Sequence, residues 1–300
     1  SNVLGEVNLV NNSTSTTGTE ASISLASGTP TISLSINGGA ADSSAILQSR
    51  QRGIYQPGKS LLVYLTGVLN PNNSNDSNFV SRLGYFDNDD GIYFQHDANG
   101  TAIVLRSSVS GGTATRRVYQ DYWNTDKMDG TGPSKLTLDV SKENIYVIDL
   151  EWLGAGEVRT GFVIGGKIIY THIFNNANEL DVVYMYLASL PVRVEARTTA
   201  GEVSTGSVHL NCYSVSSEGG EDSANTRQGG RVFTFSRPVE LTGVGTTDFK
   251  PVIALKLNTD TGETIPPNSK KVQIYPISFS VLSASGGSFE AFLLLYKDLN

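Results

Sequence analysis

The chain has 300 residues, with 29 acidic against 22 Lys and Arg side chains and a formal net charge of −7. That balance argues against non-specific binding to nucleic acid or to anionic membrane surfaces. No run of about 18 apolar residues exists, so no membrane-spanning helix is expected; nor is a secretory leader expected in these residues. Hydrophobic residues make up 39%, and 31 glycines stand beside only 2 methionines, the profile of a strand-and-turn protein with a polar surface.

In chain order, residues 1–48 are rich in Ser, Thr, Gly and Asn, and Asn11 to Thr19 reads as a flexible start. Within this arm, Ala21–Leu25 and Thr31–Ile36 alternate apolar and polar, the period-two pattern of half-buried edge strands. Tyr55-Gln-Pro-Gly58 is a turn that leads into a strand over Lys59–Thr66. Phe79–Phe86 and Gly91–Gln95 form a hairpin, and Thr101–Arg106 pairs with Thr115–Tyr119. A meander follows over Ile145–Trp152, Val158–Ile164 and Lys167–His172, with Gly165-Gly166 supplying a tight turn. Only Asn176–Asp181 offers a helical turn. Val182–Leu187, Val192–Arg197 and Ser207–Val215 read as strands, and 215–230 as a linker or loop. Arg231–Phe235, Val252–Leu257, Lys271–Leu282 and Phe289–Tyr296 are further strands. Many short strands at intervals of roughly 8–12 residues point to an antiparallel sandwich of jelly-roll type. Ser1 replaces an initiator Met and a strand runs almost to the end, so a fragment of a longer chain is expected.

Cys212 is the only cysteine, which excludes an intrachain disulfide; Val208, Leu210 and Tyr213 around it suggest a buried thiol. His96, His172 and His209 show no metal spacing and read as ordinary strand residues. Asp87-Asn-Asp-Asp-Gly91 suggests either a hairpin turn or a calcium loop with Asp87, Asp89 and Asp90 as ligands. The glycine comes one residue early for an EF-hand and no distal Glu follows, so no cofactor is expected, with calcium as the alternative. Arg50, Arg52, Arg116 and Arg117 are local basic spots. Tyr119-Gln-Asp-Tyr-Trp-Asn124 sets aromatic rings beside amides and acids, a composition shared by sugar grooves and protein interfaces.

The segment Ile148-Asp-Leu-Glu-Trp-Leu-Gly154 places Asp149 and Glu151 two residues apart, on one face of a strand. It resembles the active-site strand of the family-sixteen glycoside hydrolases, which are β-jelly-roll enzymes. That resemblance would make Glu151 the acid/base and Asp149 the assisting residue, and would put the nucleophile at position 147. Val147 stands there and cannot attack an anomeric carbon, so the double displacement that needs two carboxyls about 5 Å apart cannot run on this strand. The structural alternative pairs these acids with Arg159 and Lys167 on the following strands.

A wider set resembles virion structural proteins of tailed bacteriophages, marine phages among them. It comprises Arg82–Phe86, Gly91–Phe94, Tyr119–Asp126, Asp129-Gly130, Leu136–Asp139, Ile148–Gly156, Val158–Gly161 and Leu190-Pro191. Pro251–Lys256 with Ile274–Leu282 is similar to the β-rich segment that follows in those proteins. The resemblance implies a capsid- or tail-attached oligomer located in the virion. Its partners would be copies of itself and other virion proteins, with no nucleic acid and no membrane insertion.

The expectation is therefore an all-β chain: an N-terminal arm over 1–48, a concanavalin-like jelly-roll sandwich over 49–214, a linker over 215–230, and a smaller β-module over 231–300, either separate or completing the sandwich. Its expected function is structural and not enzymatic. The alternative is a lectin-like module for host attachment that binds carbohydrate through Tyr122, Trp123, Asp149 and Glu151, and a third reading is a glycan-degrading enzyme.

Overall fold

The computed structural model describes residues 12–218 apart from 19, 26–29, 40–41, 74–75, 110–114 and 200–202. The chain divides into two units, 1–230 and 231–300, and the described residues belong to the first. The expected C-terminal module and most of the 215–230 linker lie outside the described residues.

Fourteen strands are described: β1 Asn12–Thr17, β2 Ala21–Leu25, β3 Ile32–Gly39, β4 Ser44–Arg52, β5 Leu61–Val68, β6 Phe79–Phe86, β7 Gly91–Asp97, β8 Gly100–Arg106, β9 Arg116–Tyr119, β10 Asn144–Leu150, β11 Val158–Ile164, β12 Lys167–Phe174, β13 Pro191–Thr198 and β14 Ser204–Ser217. They form two seven-stranded sheets. The first runs β1-β4-β13-β6-β7-β8-β9 and the second β12-β11-β10-β5-β14-β3-β2. Every strand pairing is antiparallel. This is the all-β sandwich that the alternating pattern called for. The one described helix is a 3-10 turn at Gln120–Tyr122, and no described helix is long and apolar enough to cross a membrane.

Period-two alternation makes the core. Leu61, Val63 and Leu65 of β5, Tyr146, Ile148 and Leu150 of β10, and Val192, Val194 and Ala196 of β13 all point between the sheets. Phe94 of the first sheet meets Tyr146 and Phe162 of the second at ring separations of 5.0 and 5.3 Å, and these two lie 5.1 Å apart. Truncating such a buried ring costs about 3–5 kcal/mol.

Four expectations change. Asn12–Thr17 is paired backbone along β4 rather than a flexible start; an edge strand needs only backbone partners, so a Ser/Thr-rich segment can fill the place. The 48/49 boundary falls inside β4, which sits between β1 and β13. Val182–Leu187 is no strand: its backbone joins no ladder, and Tyr184 and Met185 are buried in succession within a loop. Their neighbours bond to loops instead, Tyr184 N–H to the Gly154 carbonyl and Tyr186 N–H to Asp90. Cys212 is exposed, not buried. A bulge between Leu210 and Cys212 shifts the β14–β5 register, so Leu210 and Tyr213 both reach the core while the thiol turns outward.

Candidate functional site

The carboxylate strand is closed. β10 ends at Leu150, one residue before Glu151, so the alternation that would set Glu151 beside Asp149 stops short. Glu151 is exposed, and its N–H bonds to the Glu157 carbonyl. Asp149 is 3% exposed on the outer side of the second sheet, with Val147 fully buried beside it. Its Oδ2 accepts hydrogen bonds from Arg159 Nη2 at 2.6 Å and Tyr170 Oη at 3.1 Å. Arg159 is thus the cross-strand partner expected for it, directly opposite in register. Lys167 is exposed at the start of β12. Burial raises the Asp149 pKa above the ordinary carboxylate range, and Arg159 and Tyr170 offset only part of that rise. The same burial, reinforced by the Asp149 charge, pushes Tyr170 up to about 12.

The two aromatic candidates do not join these acids. Tyr122 is 77% exposed beyond β9. Trp123 is buried: its Nε1 donates to the Val118 carbonyl, and its ring lies 6.3 Å from Phe162 inside the core. A ring between the sheets cannot stack on a ligand outside them. The four residues expected to share a sugar site are therefore spread over the core, an edge loop and the far side of the second sheet.

The Asp87–Gly91 loop is a turn knotted by its own acids. Asp87 Oδ1 accepts from the N–H groups of Asp89 and Asp90, and Oδ2 pairs with Arg52 at 3.0 Å. Asp90 accepts from Ser108 N–H, Ser108 Oγ and Tyr186 N–H. Those carboxylates are spent on the loop. Among the described residues no group of three or more His, Cys, Asp or Glu side chains is placed to hold a metal ion. The histidines are strand residues shifted by burial, with His172 lowered to about 4.

What sequence reasoning missed lies on the outer face of the first sheet. Arg193, Glu195 and Arg197 alternate along β13 with the core residues Val192, Val194 and Ala196. Glu195 is opposite Arg82 of β6 in register. Its Oε2 lies 3.1 Å from Arg82 Nη1 and its Oε1 2.5 Å from Arg193 Nη2. Burial works to raise the Glu195 pKa, but Arg193 and Arg82, then Arg106 and Arg197, outweigh it and hold the carboxyl below its ordinary range. Beneath these groups is a small apolar floor of Phe86, Tyr93, Ala102 and Val104. Arg106 lies 5.0 Å from the Tyr93 ring centre and 5.5 Å from that of Phe86, with Arg82 5.4 Å over Tyr93 and Arg193 5.5 Å over Phe86. Gly84 makes this packing fit, since a Cβ there would come within 2.5 Å of Tyr93 Cα. The sequence signal was present: Arg82-x-Gly84-x-Phe86 and Arg193-x-Glu195-x-Arg197 are period-two sets on the side opposite the core.

Of the basic residues singled out from sequence, Arg52 serves the Asp87 turn, Arg116 bonds Asn176 and lies 5.1 Å over Phe174, and Arg50 and Arg117 are exposed.

No protein-family profile matches the chain, and no curated protein matches it. Similar solved structures include the metal-free Emp46p carbohydrate recognition domain, at 8% identity over 69% of this chain and 88% of that one with TM-score 0.39. The botulinum neurotoxin serotype D binding domain matches at 11% identity over 68% and 42%, with TM-score 0.39. The binding domain of botulinum neurotoxin DC in complex with SialylT matches at 10% over 68% and 42%, with TM-score 0.38. The chain thus spans less than half the length of the neurotoxin domains it matches, and the fold and site described above stand on their own strands and side chains.

Proposed function

We propose that this chain is a non-catalytic structural component of a virion, a contact module that joins copies of itself and other particle proteins. The phage-like residue set supplies the setting. The observation that carries the contact role is an exposed apolar patch on the loop that follows β10.

Leu153 is 67% exposed on left-handed backbone, at φ +37°, where a leucine is strained. The surrounding loop holds it there. Tyr55 Oη accepts from Leu153 N–H at 3.0 Å, and the Tyr55 ring meets Trp152 edge-on at 5.4 Å. Trp152 Nε1 donates to the Met185 carbonyl, and Tyr184 N–H to the Gly154 carbonyl. Gly154 seats this loop against Val183, which is 41% exposed, and Tyr186 nearby is 48% exposed. A contact made over Leu153, Val183 and Tyr186 would take their apolar surface out of water. The acids favour the same reading, because Asp149 is engaged by Arg159 and Tyr170 while Glu151 lies past the strand end.

Size-exclusion chromatography with light scattering on the full chain tests this. An oligomer at micromolar concentration is expected, with Leu153→Asp shifting it toward monomer at an unchanged melting temperature. A strict monomer, or an oligomer indifferent to Leu153→Asp, overturns the contact role of this patch.

A second reading, glycan attachment, is favoured by the open hollow on the arginine face of the first sheet.

A further inference from the structure

The arginine face has more positive charge than it can neutralise. Arg82 and Arg193 share Glu195. Arg106 donates only to neutral acceptors, the Asp87 carbonyl at 2.6 Å and Tyr93 Oη at 3.1 Å. Arg197 makes no side-chain hydrogen bond or ion pair among the described residues. A hollow of about 470 Å³ opens here, lined among others by Arg106, Arg197, Glu195, Asn88, Asp89 and Ser108. The lining sets Arg106 and Arg197 against Glu195 and Asp89; with Arg82 and Arg193 on Glu195 and Asp90 behind Ser108, four guanidiniums meet three carboxylates, an excess of one positive charge in a chain whose net charge is −7.

We infer that this hollow binds the oxyanion of an acidic sugar, a carboxylate or a sulfate ester, on Arg106 and Arg197. The inference rests on the glycan-attachment reading and deepens it. Guanidinium groups match a planar or tetrahedral oxyanion with paired N–H donors. The Arg106 guanidinium is held in place from below by Phe86 and Tyr93 and from the side by the Asp87 carbonyl, so little freedom is lost when an anion arrives. The rest of the lining is hydroxyl, amide and carboxylate, the groups that bond sugar hydroxyls; the exposed Asn88 amide is an open donor beside the arginines. A long polyanion such as nucleic acid fits poorly, because the positive excess is confined to this hollow and the chain as a whole is acidic. The volume falls in the range of small-molecule sites.

The test presents galactose, galacturonate and galactose 6-sulfate at equal density on a biosensor surface and flows the full chain over them. One or both charged sugars should bind at least about tenfold more tightly than galactose, and more weakly as salt rises. Arg197→Ala should lower that binding about tenfold, while Arg117→Ala, an exposed arginine of β9 outside the hollow lining, leaves it unchanged. Which charged arm binds identifies carboxylate or sulfate as the anion. Equal binding of all three sugars, or Arg197→Ala binding like wild type, overturns the anion site and leaves glycan recognition standing. No binding by any arm, together with a blank array of neutral and acidic glycans, overturns both.

Discussion

The outer faces of the two sheets treat charge in opposite ways. On the second sheet, one guanidinium, Arg159, serves two carboxylates, Asp149 and Glu157, and a tyrosine hydroxyl also bonds Asp149, so no positive charge is left over. On the first sheet, one carboxylate, Glu195, sits among four guanidiniums, three of them over an aromatic floor, and the charge stays open. The difference shows in the acids themselves: burial wins at Asp149 and raises its pKa, whereas the surrounding arginines win at Glu195 and lower it. A charged residue on a strand face is therefore no guide to a site until its partners are counted. The Asp149–Arg159 contact is architecture, and the open cluster is where a ligand has something to offer.

The largest test of this contrast is removal of each acid. Glu195→Ala leaves Arg82 and Arg193 buried without their counter-charge and should cost about 3–5 kcal/mol in urea unfolding. Asp149→Ala should cost about 1 kcal/mol, because the Arg159 side chain is 36% exposed and can turn to water. Equal losses would erase the distinction between the faces. Next in size, Phe86→Ala removes a fully buried ring from under Arg106 and Arg193 and should cost about 3 kcal/mol, with Phe86→Leu recovering most of it. A full-sized loss that Phe86→Leu fails to recover would mean that the ring faces, rather than the apolar volume, hold the arginines.

The smallest effect is one of sign. The Glu195 pKa is lowered on folding, so its stabilisation is present above the unfolded value and is lost as pH falls through the folded one. The Asp149 pKa is raised, so its contribution is present below the unfolded value and is lost as pH rises through the folded one. Stability measured across the carboxylate range should therefore rise less steeply with pH in Glu195→Gln and more steeply in Asp149→Asn. Slopes that move the same way would show that the two carboxyls share one environment.

Much of the fold was legible in the residues. The hairpin of β6 and β7, the β8–β9 pair and the β10–β11–β12 meander all follow from alternation and glycine turns, because period two and positive φ are local properties. Gly165 and Gly166 do adopt φ +59° and +76°. The Asp149–Arg159 pair was equally accessible, since both ends lie on neighbouring strands of one meander. Misreadings came where tertiary context overrides a local rule: the bulge that exposes Cys212, the early end of β10 that separates Glu151 from Asp149, and the sheet-to-sheet burial that takes Trp123 out of reach.

Alone, the sequence determined that the chain is built of antiparallel strands with one apolar side each, since period-two alternation is a local property of the strand. It also determined that Val147 cannot serve as a nucleophile. Only the tertiary structure decided which charges meet. Arg82, Arg106, Arg193 and Arg197 come from three strands spread over more than a hundred residues, and strand order alone brings β6, β8 and β13 to one face. Register and sheet order are properties of the whole chain, so the cluster that most resembles a binding site could not be read from any segment of it.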